Sequence, residues 1–178
     1  THLEEISITN EQVYSKHWLE VLFASFLKMP KLAKLTFSFY DQRHLDNVVE
    51  VDTNLGVCSN LTALTLQGSK STDYSALAQW IPTQLQVLDL PGSPTLPIST
   101  ILSRCTNLQE LVLDTMEPSQ LSFFVLPDIR ELHLSFSGTE EPTPVFEQLS
   151  YTSPNLRHLG IHSQNLTAPD LVKYCQQA

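Results

Sequence analysis

Between residues 89 and 162 the chain gathers side chains that could do chemistry: Asp89, Glu110, Asp114, Glu131, His133, Ser135, Arg157, His158 and His162. Three constellations can be drawn from them. Ser135 and His133 are two apart, so on an extended segment they share a face, and with Asp114 they sketch a nucleophilic triad. That chemistry also needs a strained turn under the nucleophile, oxyanion donors and an enclosed pocket. No Gly-x-Ser-x-Gly elbow surrounds Ser135, and with 34 Ser and Thr among 178 residues a serine close to a histidine is expected by chance. A second constellation, His133, His158 and Glu131, has the residue types of a metal site, but nothing in the spacing sets a ligand geometry. His158 and His162 lie four apart on one extended segment, about 13 Å at ~3.3 Å per residue, beyond the span of one ion. Neither catalysis nor a cofactor is expected. The third constellation is a mixed, mildly acidic surface for docking another protein.

What must position these residues is a repeat. The unit L-x-x-L-x-L, with Ile or Phe substituting, recurs seven times, beginning at Leu3, Leu32, Leu61, Leu85, Leu108, Ile129 and Leu156. Successive starts are 29, 29, 24, 23, 21 and 27 residues apart, and all 21 key positions hold Leu, Ile or Phe. Within each unit the last two apolar residues are two apart and point to one face of a short strand, so their neighbours point to the other. Between units the chain must return. Helical spacing predicts helices over residues 12–28, 72–81, 97–104, 145–151 and 169–176. Residues 43–57 mix helical and strand preferences, and residues 117–126 read as a single turn. One strand with one return segment cannot bury both faces alone, so the units must stack. The expected architecture is α/β: a solenoid of about seven repeats, parallel strands on the concave side and helices on the convex side.

The chain resembles the leucine-rich repeat family over its whole length, and within it the ribonuclease-inhibitor-like and cysteine-containing subclasses. The variable period, the C-S-N-L and C-T-N-L segments at 58–61 and 105–108, and the N-L starts at Asn60, Asn107 and Asn155 carry the resemblance. A cysteine three residues before the first Leu is typical of repeats in F-box proteins, including fungal ones. Elsewhere that position holds Met29, Pro82, Leu126 and Ser153, so it reads as a small or apolar core slot. The position eight after the first Leu, often Asn or Cys in the family, departs from its pattern. The resemblance implies substrate-recognition repeats of an F-box-like intracellular protein, a receptor subunit of a ubiquitin ligase. A secreted defence protein binding a foreign protein or glycan, and an enzyme inhibitor similar to ribonuclease inhibitor, are the alternatives.

The wall facing away from the core then has three columns. The first holds Glu5, Lys34, Ala63, Val87, Glu110, Glu131 and His158; the second Ser7, Thr36, Thr65, Asp89, Val112, His133 and Gly160; the third Thr9, Ser38, Gln67, Pro91, Asp114, Ser135 and His162. A row just before the strands holds Glu4, Ala33, Thr62, Gln86, Gln109, Arg130 and Arg157. Asp89, Glu110, Asp114, Glu131, His133, Arg157, His158 and His162 are the expected protein-binding residues, with Phe39 and Phe136 at the patch edge.

Composition narrows the partner. Ten Lys and Arg against nineteen Asp and Glu give a net charge of −9, so the basic stripe that nucleic acid requires is missing and anionic membranes are disfavoured. No apolar run approaches the ~20 residues of a membrane span. The three cysteines, Cys58, Cys105 and Cys175, are too few for a disulfide framework. Cys58 and Cys105 sit two repeats apart, about 10 Å at ordinary strand spacing, too far for a disulfide. Free thiols fit a cytoplasmic or nuclear location. Two sequons, at Asn60 and Asn165, are close to the roughly 1.3 expected by chance. The start at Thr1, without Met or a signal-peptide pattern, reads as an excised or processed single domain over residues 1–178. An uncapped first repeat would favour self-association.

Overall fold

The structure, a computed structural model, describes residues 2–10, 25–26, 28–39, 60–68, 81–92, 98–116, 125–126, 128–136, 149 and 151–163. Seven strands follow one another: β1 Glu5–Asn10, β2 Lys34–Phe39, β3 Ala63–Gln67, β4 Val87–Leu90, β5 Glu110–Met116, β6 Glu131–Phe136 and β7 His158–Ser163. They form one sheet in sequence order, and every neighbouring pair is parallel. Parallel neighbours in sequence order require each connection to carry the chain back before the next strand begins. The result is a repeat solenoid, as the recurring unit predicts.

Register follows the repeat. Ile6, Leu35, Leu64, Leu88, Leu111, Leu132 and Leu159 stand opposite one another from strand to strand. A one-residue slip anywhere would turn a strand's leucines out to solvent. The first apolar residue of each unit lies just before its strand, at the close of a turn. There its N–H donates to the carbonyl three residues earlier: Leu32 to Met29, Leu85 to Pro82, Leu108 to Cys105, Ile129 to Leu126 and Leu156 to Ser153. The following two N–H groups share one acceptor on the previous repeat. Ala33 and Lys34 donate to the Glu4 carbonyl, Thr62 and Ala63 to Ala33, Gln86 and Val87 to Thr62, Gln109 and Glu110 to Gln86, Arg130 and Glu131 to Gln109, and Arg157 and His158 to Arg130, all at 2.8 to 3.0 Å. Each such carbonyl therefore uses both of its lone pairs.

Leu32, Leu66, Leu85, Leu88, Leu111, Ile129 and Leu132 are at most 1% exposed. Phe26 and Phe37 pack with ring centroids 5.7 Å apart. The ends differ from the middle: Leu3, expected in the core, is 46% exposed, and Ile6, Ile8, Leu156, Leu159 and Ile161 are only partly buried. An end repeat has a neighbour on one side only, which accounts for this exposure.

Helix α1, Ile98–Arg104, falls in the expected 97–104 segment and buries Ile101 and Leu102. Ser25, Phe26, Leu149, Tyr151 and Thr152 have helical backbone within or beside two other expected helices. The expectations for residues 43–57, 72–80, 117–124 and 169–176 fall outside the described residues, as do Cys58, Cys175 and Asn165.

Among the described residues the slot three before the first apolar residue is a core position. Pro82, Cys105, Leu126 and Ser153 are buried there and Met29 is half-buried. The Cys105 thiol donates to the Pro82 carbonyl at 3.4 Å, and burial pushes that thiol above its ordinary range. Ser153 puts a hydroxyl in the equivalent slot and finds no partner among the described residues. A buried unsatisfied hydroxyl costs about 1–3 kcal/mol. Ser153→Ala is therefore expected to raise the unfolding free energy by about 1 kcal/mol, read from the urea midpoint.

Past β4 the chain turns through Gly92, whose φ of +81° suits only glycine. A Cβ there would also be driven into the carbonyl oxygen of Gly68, the equivalent residue one repeat earlier. Gly68 N–H in turn donates to the Pro91 carbonyl at 3.2 Å. Strain and clash together predict that Gly92→Ala lowers stability by at least ~1–3 kcal/mol, measured by chemical denaturation.

Candidate binding surface

Strand pairing brings the expected columns together. Glu5, Lys34, Ala63, Val87, Glu110, Glu131 and His158 stand in one continuous row across the sheet. Ser7, Thr36, Thr65, Asp89, Val112, His133 and Gly160 form the next. Side chains in these rows recur at the strand spacing of about 4.8 Å.

At the centre of the wall is Asp89. Partial burial of its carboxylate, and then the charges of Glu110 and Asp114, push its pKa above the ordinary 3.8. A hydrogen bond with Thr65 and the nearby His133 pull in the opposite direction without cancelling the rise. Toward β7, Glu131 and His158 approach at 3.7 Å on the surface, both well exposed. His162 and His133 are also exposed. The His133 ring lies against Gly160, where a Cβ would collide with the imidazole. Glycine at this point of β7 lets the ring lie down on the neighbouring strand.

Several expected site residues are placed differently. The third column does not run straight, because the β5–β6 register shifts between Leu113 and Met116. Asp114 sits at this irregularity, and its carboxylate accepts a hydrogen bond from the Gly92 N–H at 2.9 Å. It thus tethers the turn after β4, and the triad geometry sketched from sequence gains no support from its position. Phe136, expected at the patch edge, is 4% exposed and belongs to the core. It occupies the next inward position after Leu132 and Leu134, so strand alternation continues two residues beyond the repeat unit. Ser38 is buried, with its hydroxyl donating to Gln67 Oε1 at 2.9 Å. The side chain of Phe39 lies outside the described residues. Of the metal constellation, only Glu131 and His158 form a pair; among the described residues no group of three His, Cys, Asp or Glu is placed to hold an ion.

Arg157 lies beside the wall. It lines an open polar depression of about 350 Å³ at the edge where the strands begin, together with Gln86, Gln109 and Arg130 from the pre-strand row and Asn107, Asp128 and Asn155 from the turns. The pre-strand row was legible in the sequence. Its junction with the turn residues was not, although the recurring Asn or Asp before the first apolar residue was the available signal.

No protein-family model matches the chain, and no curated protein matches it.

The raised Asp89 pKa has a signed consequence. The folded state holds the Asp89 proton more tightly than the unfolded state, so this group's contribution to stability falls as pH rises from about 3.8 through the raised folded value. Asp89→Asn keeps a hydrogen-bonding partner for Thr65 and removes the charge. The variant is expected to melt above the wild type at pH 7, with the difference shrinking as pH falls through the raised folded value and gone below about 3.8. Thermal melts of both proteins over pH 3 to 7 check this.

Proposed function

We propose that this chain is a non-enzymatic protein-binding module of the leucine-rich repeat type, with its sheet on the concave side of a horseshoe and helices on the convex side. The observation that carries the reading is the open wall. Contiguous rows of exposed and half-exposed side chains run across seven strands, and the acids in their centre repel one another. Asp89 is disfavoured as a charged group first by its partial burial and then by the charges of Glu110 and Asp114. A cationic group from a partner would relieve this, so a protein presenting Lys or Arg is the favoured ligand of the wall.

The sequence resemblance supports the finer reading: substrate-recognition repeats of an F-box-like receptor in the cytoplasm or nucleus. There the repeats capture a protein for ubiquitination while a separate segment docks the ligase. The buried, free Cys105 is compatible with a reducing compartment.

The test uses the natural full-length protein, tagged in its own cells, as wild type and as the Glu110→Lys/Glu131→Lys double variant. A cullin-ligase adaptor is expected to co-purify equally with both forms. A set of client proteins is expected to be depleted about tenfold from the variant, as for loss of a buried charge contact. Absence of the adaptor would sink the ligase reading. Clients retained in full by the variant would sink the docking role of the wall.

A further inference from the structure

The depression at the strand-start edge has a charge opposite to that of the wall. Arg130 and Arg157 immediately precede the adjacent strands β6 and β7 and are linked by the Arg157 N–H to Arg130 carbonyl bond at 2.9 Å. Both side chains are exposed, and neither makes an ion pair among the described residues. Asp128 offsets one charge, which leaves this lining at +1 in a chain of net −9. Each guanidinium presents a planar fork of donors suited to a carboxylate.

The rest of the lining is neutral. Gln86, Gln109 and Asn107 occupy the end formed by the fourth and fifth repeats, and their carboxamides both donate and accept. From Gln86 to Arg157 the row crosses three strand spacings, about 14 Å. One small anion would fill only the arginine end: the volume, about 350 Å³, is roughly ten times the ~30 Å³ share of a water molecule. An extended polypeptide covers the same 14 Å with about four residues at ~3.3 Å each. Its backbone N–H and C=O groups need partners of both kinds, and carboxamides supply both.

We propose that this edge depression is a second binding site, specific for an extended acidic peptide segment of a partner protein. An Asp or Glu carboxylate is held between Arg130 and Arg157, and the adjoining backbone lies along Gln109 and Gln86. The site rests on the protein-binding reading but uses a different face from the wall. A partner engaging both would present a basic patch to the strands and an acidic segment to their edge.

The test is a fluorescence-anisotropy titration of the full chain with a fluorescein-labelled Ser-Gly-Glu-Asp-Gly-Ser peptide. Its amide analogue, Ser-Gly-Gln-Asn-Gly-Ser, and inorganic phosphate serve as competitors. The acidic peptide is expected to bind saturably, and Arg130→Gln/Arg157→Gln to weaken it about tenfold or more, as for loss of charge-assisted bonds. Lys28→Gln, a neutralised exposed lysine outside the depression, is expected to leave binding unchanged, and circular dichroism to show all proteins folded. No saturable binding at millimolar peptide would overturn the proposal, as would equal weakening by Lys28→Gln. Equal competition by the amide analogue would show that the carboxylates are not read, and equal competition by phosphate would reduce the site to a small-anion site; either result overturns it. Loss of this site with client binding still sensitive to Glu110→Lys/Glu131→Lys would remove the edge site alone and leave the wall reading in place.

Discussion

Everything on this molecule's surface depends on one carbonyl per repeat. At each of the six repeat junctions a single C=O, on the residue after the first apolar position, accepts two consecutive N–H groups from the next repeat at 2.8 to 3.0 Å. A carbonyl has two lone pairs, so the junction is saturated and leaves little freedom in how one strand starts beside the next. The first apolar side chain lies just before that point and is buried at 0 to 3% in repeats two through six. Packing and hydrogen bonding therefore fix the same residue from two sides. Return segments can differ in length by up to eight residues (21 to 29 between starts) because the strands are aligned at their beginnings.

Alignment at the start has an electrostatic result. Side chains at equivalent positions form rows about 4.8 Å apart across the sheet, whatever their charge. Asp89 is consequently held near Glu110 and Asp114, whose charges add to its partial burial in disfavouring the anion. Arg130 and Arg157 are likewise held one strand apart in the row before the strands. A flexible surface would let like charges move apart. Here the shared register of the strands sets their spacing.

Because L-x-x-L-x-L encodes both the inward face and the stacking, strand positions, register and the first two wall rows could be read from the residues alone. The misreadings fall where the chain leaves that unit. Phe136 lies two residues after Leu134 and reads in the sequence as a patch-edge residue, yet alternation carries it inward to 4% exposure. Asp114 also follows the unit, where β5 shifts register, and it bonds the Gly92 N–H instead of continuing the third row. Ser38 has the sequence position of a wall residue but is buried against Gln67. These outcomes depend on contacts between repeats whose local sequences differ, and a pattern within one repeat carries no information on them. The depression was hidden for a related reason. It combines turn and pre-strand residues of four consecutive repeats, whose starts are 21 to 27 positions apart in the chain.

The same division separates what can vary from what cannot. Junction carbonyls and inward leucines tolerate little, since a register slip exposes an entire apolar row. Side chains of the first two wall rows point away from the core, so exchanging most of them costs the stack little, whereas Ser38 and Asp114 of the third are held by Gln67 and the Gly92 N–H. Gly160 is an exception: its missing side chain is what admits the His133 ring. A surface position has there become structural because a neighbour leans on it, and any larger residue would have to lift His133 away from β7. The surface of such a scaffold is thus constrained pair by pair between adjacent repeats, while stability is set row by row along the core.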